Sequence, residues 1–491
     1  MKFEEYIKEF NKNDNEYIKT DISNTNCTDW LKEEIPVLEC SDKVIEKTYY
    51  FRWWTYRKHI KNPPEGYVIT EFLPKVSWSG IYNVINAPVG HHLMEGRWLK
   101  NAEKYITDYI NIFFNYPEVG LRYSNWLIWA INKFGEVKNC IDKKNILKKS
   151  VPYYKMWEET HKTETELFWS VDGRDAMEFS ISGSPHKKAI PGLRPTLNSY
   201  MYGEAKTIYL LSKECGTPKE EYLEKSEKIK NAMQMLLWRE GFFKAVHPEN
   251  GKFNEISSID TANVPRELIG YIPWYFSIPD SGNELFELLE DKDVFLAEQG
   301  LTTAEKSAKD FLYEADHECL WNGYVWPFAT AQTLTALINT MMKSEGNRTK
   351  YSDMFYRLLS LYAMQHTRIN EYGKEVMWID EVMSPFKHIW TSREKLKQWG
   401  WKTEKGGFER GKDYNHSTFC DLVISALTGF NLKNGTVKFD PIIPSTWEYF
   451  SIDNLYIRGS RYRIEYDKTR KYYGITGIRI YKDGKEYDVR S

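Results

Sequence analysis

Cysteine is sparse and scattered. Cys27, Cys40, Cys140, Cys215, Cys319 and Cys420 stand alone, with no C-x-x-C pair. That spacing excludes a zinc ribbon or a disulfide-stapled scaffold and reads as free thiols. No cofactor is expected. No apolar run approaches the roughly 18 residues of a membrane-spanning helix, so no membrane partner is expected. Charge of one sign is not in excess: 67 Lys and Arg face 69 Asp and Glu, for a net charge of −2. A nucleic-acid binder living on a basic field is thereby excluded. The opening MKFEEYIKEFNKNDNEY has no apolar core of a secretory signal, which points to a cytoplasmic location. A short fixed repeat is also missing, so a solenoid is not supported.

Aromatic residues are abundant: 18 Trp, 34 Tyr and 24 Phe make up 15% of the 491 residues. Their broad apolar faces and polar rims suit a large core and also suit sugar rings, which present C–H faces and polar edges. Residues 1–48 are polar and mixed and read as an N-terminal extension packed on the main body. From about residue 90 to 430, segments such as AEKYITDYINIFFN, TAQTLTALINTMMKS and STFCDLVISALTGF carry apolar residues at helical spacing. Gly216 and Gly429 follow helical runs as C-caps. About ten to twelve helices joined by aromatic loops fit a closed ring of helical hairpins better than a four-helix bundle. The expected fold is therefore mainly α, an (α/α)6 toroid over residues 49–430. The tail, residues 431–491, alternates apolar and polar residues and carries an Asp483-Gly484 turn, which predicts a small β-domain.

Loops hold the candidate chemistry. Asp172, Asp175 and Glu178 crowd a stretch of apolar neighbours. A helical turn there sets Asp175 and Glu178 on one face, and the flanking Met177 and Phe179 raise a carboxyl's pKa, as a general acid requires. Asp380 and Glu381 are adjacent, and in an extended segment they point to opposite faces, so one of them enters a cleft. Tyr414, Asn415 and His416 precede a helix with Ser417 or Thr418 as its cap. They suit sugar hydroxyls, or the acid and base of a polysaccharide lyase, with Arg410 and Lys412 nearby for a uronate. Trp321-Asn322-Gly323 and Trp326-Pro327 form a rigid aromatic loop entering a helix with Pro at its start.

Trp321-Asn322-Gly323-Tyr324-Val325-Trp326-Pro327 resembles the W-N-G-x-x-W-P signature of (α/α)6-barrel glycosidases. These include trehalases, family 63 and the mannosylglycerate-hydrolase-like group. Leu237-Trp238-Arg239-Glu240-Gly241-Phe242-Phe243 and Arg266-Glu267-Leu268-Ile269-Gly270-Tyr271-Ile272-Pro273 are similar to two further segments of that group. The likeness covers most of residues 50 to 430. The style of the chain is also similar to family 142, which includes β-L-arabinofuranosidase activity.

The resemblance implies an inverting glycosidase, and a compact funnel of loops favours exo-action on a terminal bond of an oligosaccharide or glycoside. Met177-Glu178-Phe179-Ser180 takes the place of the family's acid segment, with Glu for the usual Asp. Glu178 is then the general acid and Asp175 its reserve. Glu381-Val382-Met383-Ser384-Pro385 keeps the Glu-to-Pro spacing of the base segment, so Glu381 is the base and Asp380 the weaker choice. Expected cleft walls are Trp53, Trp54, Trp78, Trp321, Trp326 and Trp378. Arg52, Arg194, Asn198, Tyr202, Asn322, Tyr414, Asn415 and His416 are expected to read the sugar. The competing readings are a lyase using Tyr414 and His416, a non-catalytic carbohydrate-binding protein, and a phosphorylase on a related barrel. A monomer or small homo-oligomer is expected.

Overall fold

The computed structural model describes residues 2–183, 189–248, 259–260 and 264–490. Among the described residues, six helices close a ring. Val89–Gly96 packs on Leu127–Lys138, which packs on Pro195–Glu214. The ring runs on through Ile272–Tyr275, Pro327–Met341 and Cys420–Thr428 and returns to Val89–Gly96. Inner helices are enclosed on all sides: every residue of Val89–Gly96 is buried, and in Pro327–Met341 all but Asn339. Outer helices bury one stripe. In Glu220–Leu236 the buried positions are Tyr222, Ser226, Ile229, Ala232, Met233 and Leu236, and that face lies on Pro195–Glu214. The architecture is the expected (α/α)6 toroid with a small C-terminal sheet.

Helix ends follow local chemistry. Pro195 and Pro327 occupy the first turn of their helices, where a missing N–H removes no bond. Gly429 takes the left-handed C-cap, with φ +53°. The cap expected from Ser417 or Thr418 is not used. The helix starts at Cys420, and the remote carboxylate of Glu95 accepts the N–H groups of Phe419 (3.2 Å), Cys420 (3.0 Å) and Asp421 (2.7 Å). Glu95 lies on the neighbouring inner helix, so this cap also ties the ring closed. Ser417 is engaged elsewhere, by the Arg52 guanidinium.

The C-terminal sheet has five antiparallel strands in the order Val37–Cys40, Tyr449–Ile457, Ser460–Asp467, Gly477–Lys482, Lys485–Arg490. Ile452, Ile464 and Ile480 align across three strands on its buried face. Asp483 and Gly484 both take positive φ, the mirror-type turn expected of Asp-Gly in a two-residue hairpin. The first strand comes from the N-terminal residues, and helix Lys2–Lys12 buries Phe3, Ile7 and Phe10 against Lys43–Tyr56. No described helix is long and apolar enough to cross a membrane.

Candidate active site

A cavity of about 260 Å³ opens at one end of the ring. Its lining comes from loops that each lead into an inner helix. Glu71, Phe72, Trp78 and Ala87 precede Val89–Gly96, and Tyr123 precedes Leu127–Lys138. Ala176 and Glu178 precede Pro195–Glu214, while His317, Glu318, Cys319, Trp321 and Trp326 precede Pro327–Met341. Lys405, Arg410, Tyr414 and His416 precede Cys420–Thr428. Residues distant in sequence meet here because the ring gathers these helix N-termini at one end. Trp321 and Trp326 stack face to face at 4.3 Å on one wall.

Glu178 sits on a strained loop. A short 3-10 turn ends at Asp175, and Ala176 (φ +56°) and Phe179 (φ +62°) both adopt the left-handed region that non-glycine residues avoid. The helical continuation that sets Asp175 and Glu178 on one face is therefore absent. The chain reverses between them and only Glu178 reaches the cavity. Asp175 is instead an anchor. It accepts from Arg194 Nε (2.7 Å), Ser124 Oγ (2.7 Å), Ser170 Oγ (3.1 Å) and Thr196 Oγ1. Arg194 also donates to Ser182 and Ser180, clamping the loop on both sides of Glu178. The Glu178 carbonyl accepts from Trp321 N–H at 3.1 Å, joining the acid loop to the tryptophan loop. Burial pushes the Glu178 carboxyl up to about 8, and the nearby Asp172 and Glu381 charges push the same way.

Asp380 and Glu381 take separate partners, although the chain bends at Glu381 rather than running on as an extended strand. Asp380 accepts from Arg393 Nε (2.8 Å), Ser392 Oγ (3.3 Å) and Trp378 Nε1 (3.3 Å). Gly411 packs against it so closely that a Cβ there would lie 1.9 Å from Oδ1. Glu381 is fully buried and takes Arg410 in a fork: Nε to Oε1 at 2.7 Å and Nη2 to Oε2 at 3.0 Å. The Cys319 thiol donates to Oε2 at 3.0 Å. Glu381 lies directly behind Arg410 and Cys319, both of which line the cavity. Burial raises its carboxyl while Arg410 opposes. The remaining Arg410 nitrogen binds Glu318 at 2.6 Å, and Lys405 binds both Glu318 oxygens. For Glu318 the two cations outweigh burial and bring it down to about 2.

A further carboxyl stands in the wall. Glu71 receives the Tyr414 hydroxyl on one oxygen, and burial pushes its pKa up to about 8, aided by Glu381 and Glu178. Tyr414 stacks on His416 at 3.7 Å. Burial holds the His416 ring neutral, against the opposing pull of the Tyr414 backbone. No described cluster of three or more His, Cys, Asp or Glu side chains is arranged to hold a metal ion.

With this geometry in place, comparison with known proteins identifies the fold and family. Residues 81–417 match the mannosylglycerate hydrolase MGH1-like glycoside hydrolase domain. The chain belongs to the MGH1-like glycoside hydrolase family. Residues 430–489 match the C-terminal domain of glycosyl hydrolase family 65. A solved structure named a sialidase is 32% identical with a TM-score of 0.85; it aligns with 100% of this chain, which spans 44% of its length. The α-L-rhamnosidase of Streptomyces avermitilis, complexed with L-rhamnose, shares 12% identity and a TM-score of 0.54, over 91% of this chain and 37% of its own. An uncharacterised conserved protein of Thermus thermophilus shares 11% identity and a TM-score of 0.50, over 77% of this chain and 100% of its own. The last two show the fold alone. No curated protein matches the chain.

Within this MGH1-like structure, Trp78, Glu178, Trp321, Trp326, Tyr414 and His416 line the cavity. The other expected contacts do not. Arg52 holds Ser417, Tyr362 and His366 behind the cavity, and Trp53 is core, edge-on to Tyr49 and Tyr56. Trp54 and Trp378 line a separate cavity between the N-terminal helix and the 367–377 hairpin. Asn198 fixes Phe168 through both backbone groups. Tyr202 lies in another pocket, bonded by Lys206. Asn322 donates to the Tyr313 carbonyl, and Asn415 to that of Thr70. Lys412 pairs with Asp14 and Glu409 rather than facing the cavity. Glu71 escapes sequence reading because it hides in the apolar run Val68 to Leu73 and lies outside the MGH1-like match. An acid inside such a run is itself a signal, since its burial needs a partner or a use.

Proposed function

We propose that the chain is an inverting, exo-acting glycoside hydrolase with Glu178 as general acid and Glu381 as general base. The observation that carries this is the raised, half-buried carboxyl of Glu178 on the wall of an aromatic cavity, backed by Glu381. A carboxyl with a pKa near 8 is protonated at neutral pH and can give its proton to a leaving glycosidic oxygen. Glu381 serves as the carboxylate, with the Arg410 fork favouring the charged form. Water reaches Glu381 by replacing the Cys319 thiol on Oε2. A thiol is a weak donor, so the exchange loses little. Trp321 and Trp326 offer the apolar face of a sugar its platform. At about 260 Å³ the cavity lies at the small end of ligand pockets, which suits a single terminal sugar rather than a chain threading through.

Turnover of a panel of aryl glycosides and oligosaccharides, with and without phosphate, tests the assignment. Glu178→Gln and Glu381→Gln are each expected to lower kcat by about 10²–10⁴ with the sugar still bound, and NMR is expected to show an inverted anomer. Near-normal turnover in either variant, or a product of retained configuration, defeats it. A requirement for phosphate moves the reaction to phosphorolysis.

A further inference from the structure

The cations of this cavity are already committed. Arg410 is shared between Glu381 and Glu318, and Lys405 closes on both oxygens of Glu318. His416 is 1% exposed, lines the cavity and is held neutral by burial, so it brings no charge to the site. Against this, Glu71 and Glu178 face the same space. Glu71 is held from one side by the Tyr414 hydroxyl, and its backbone carbonyl accepts Asn415 N–H at 3.1 Å. The carboxyl is thus fixed in direction while its second oxygen has no protein partner among the described residues. Polar groups left unmet in a buried wall await a partner that can both donate and accept, which a hydroxyl does and a carboxylate does not. A carboxylate brought here would be buried without a free cation to pair with.

From this we infer that Glu71, oriented by Tyr414 and flanked by His416, is the specificity-determining residue of the cavity: it binds a ring hydroxyl, so the site takes a neutral sugar and turns away uronates and sialic acid. The inference rests on the cavity being the glycosidase site proposed above. It runs against the simplest transfer from the relative named a sialidase.

Calorimetric binding at pH 7 of D-glucose, D-mannose and D-galactose, each beside its uronate, with N-acetylneuraminate and pentoses added, tests it on the full chain. At least one neutral sugar is expected to bind, and its carboxylated counterpart about tenfold more weakly or worse. Glu71→Ala is expected to lower neutral-sugar affinity about tenfold. At pH 7 burial already favours the protonated Glu71, so Glu71→Gln, which keeps both a donor and an acceptor, is expected to hold the neutral sugar within a few-fold and to leave the uronate excluded. Tyr414→Phe, which frees the carboxyl to turn, is expected to weaken neutral-sugar binding while leaving the uronate excluded, and it keeps the test open if the Glu71 variants unfold. Acidic sugars binding as tightly as neutral ones, no neutral sugar binding at all, or neutral affinity unchanged in folded Glu71→Ala overturns the inference. Turnover that survives Glu178→Gln removes the acid assignment and leaves the selectivity standing. Equal binding of acidic and neutral sugars removes Glu71 and leaves the acid standing.

Discussion

Replacing Glu178 with Gln removes a group whose protonation is linked to folding, and the size of the effect follows from its surroundings. The carboxyl has an ordinary value of 4.5 and is pushed up to about 8 in the folded chain, first by burial and then by Asp172 and Glu381. A folded pKa above the unfolded one means that the native state holds the proton more tightly. The stability is fully present below about 4.5 and is lost as pH rises through about 8. Each pH unit inside that window changes the balance by about 1.4 kcal/mol. Between pH 5 and pH 8 the wild type should therefore lose about 3–4 kcal/mol that the uncharged glutamine does not lose. Urea unfolding of both proteins at pH 5, 6, 7 and 8 reads this directly, and Glu71 stays in both, so most of its own titration cancels. The expected result is a stability difference that tilts steadily toward the variant as pH rises. On the activity side, wild-type kcat/KM should fall above pH 8 as the acid loses its proton. Stability curves that run parallel from pH 5 to 8 would refute the reasoning, because a carboxyl that ionises freely in the folded state is not held protonated by its surroundings.

Two other perturbations probe what holds the cavity in shape. Arg410→Met leaves Glu381 and Glu318 without their shared guanidinium and should cost about 3–5 kcal/mol in urea unfolding. Arg410→Lys should recover only part, since an ammonium cannot reproduce the fork on Glu381. Glu95→Ala removes three charge-assisted bonds to one helix start and should cost at least about 1.5–3 kcal/mol, with faster hydrogen exchange at Phe419, Cys420 and Asp421. An unchanged exchange rate there would show that the helix start does not depend on Glu95.

Much of this protein is written along the chain. The helical spacing, the prolines at helix starts, the Asp483-Gly484 turn and the alternation of the tail are local, because each depends on neighbours within a few residues. The tryptophan loop is legible for the same reason, since Trp321 and Trp326 are close in sequence and meet in space. Glu178 is visible as an acid amid apolar neighbours, yet nothing local says that Ala176 and Phe179 turn the chain back and separate it from Asp175.

Closure of the ring decides the rest. Whether a buried Arg faces a ligand or a carboxylate depends on which loops arrive beside it, and those loops lie far apart in sequence. Arg52, Arg194 and Arg410 share one residue type, yet one braces the Ser417 segment, one clamps the acid loop and one holds Glu381 behind the cavity wall. Glu71 and Tyr414 are 343 positions apart and become a pair only when the first and last loops of the ring meet. The order of residues was enough for the helices, the β-tail and the chemical types on hand. Which acids are paired, which stay protonated and which face the space a sugar would fill had to wait for the assembled ring, because charge pairing and desolvation act through distance in space rather than along the chain.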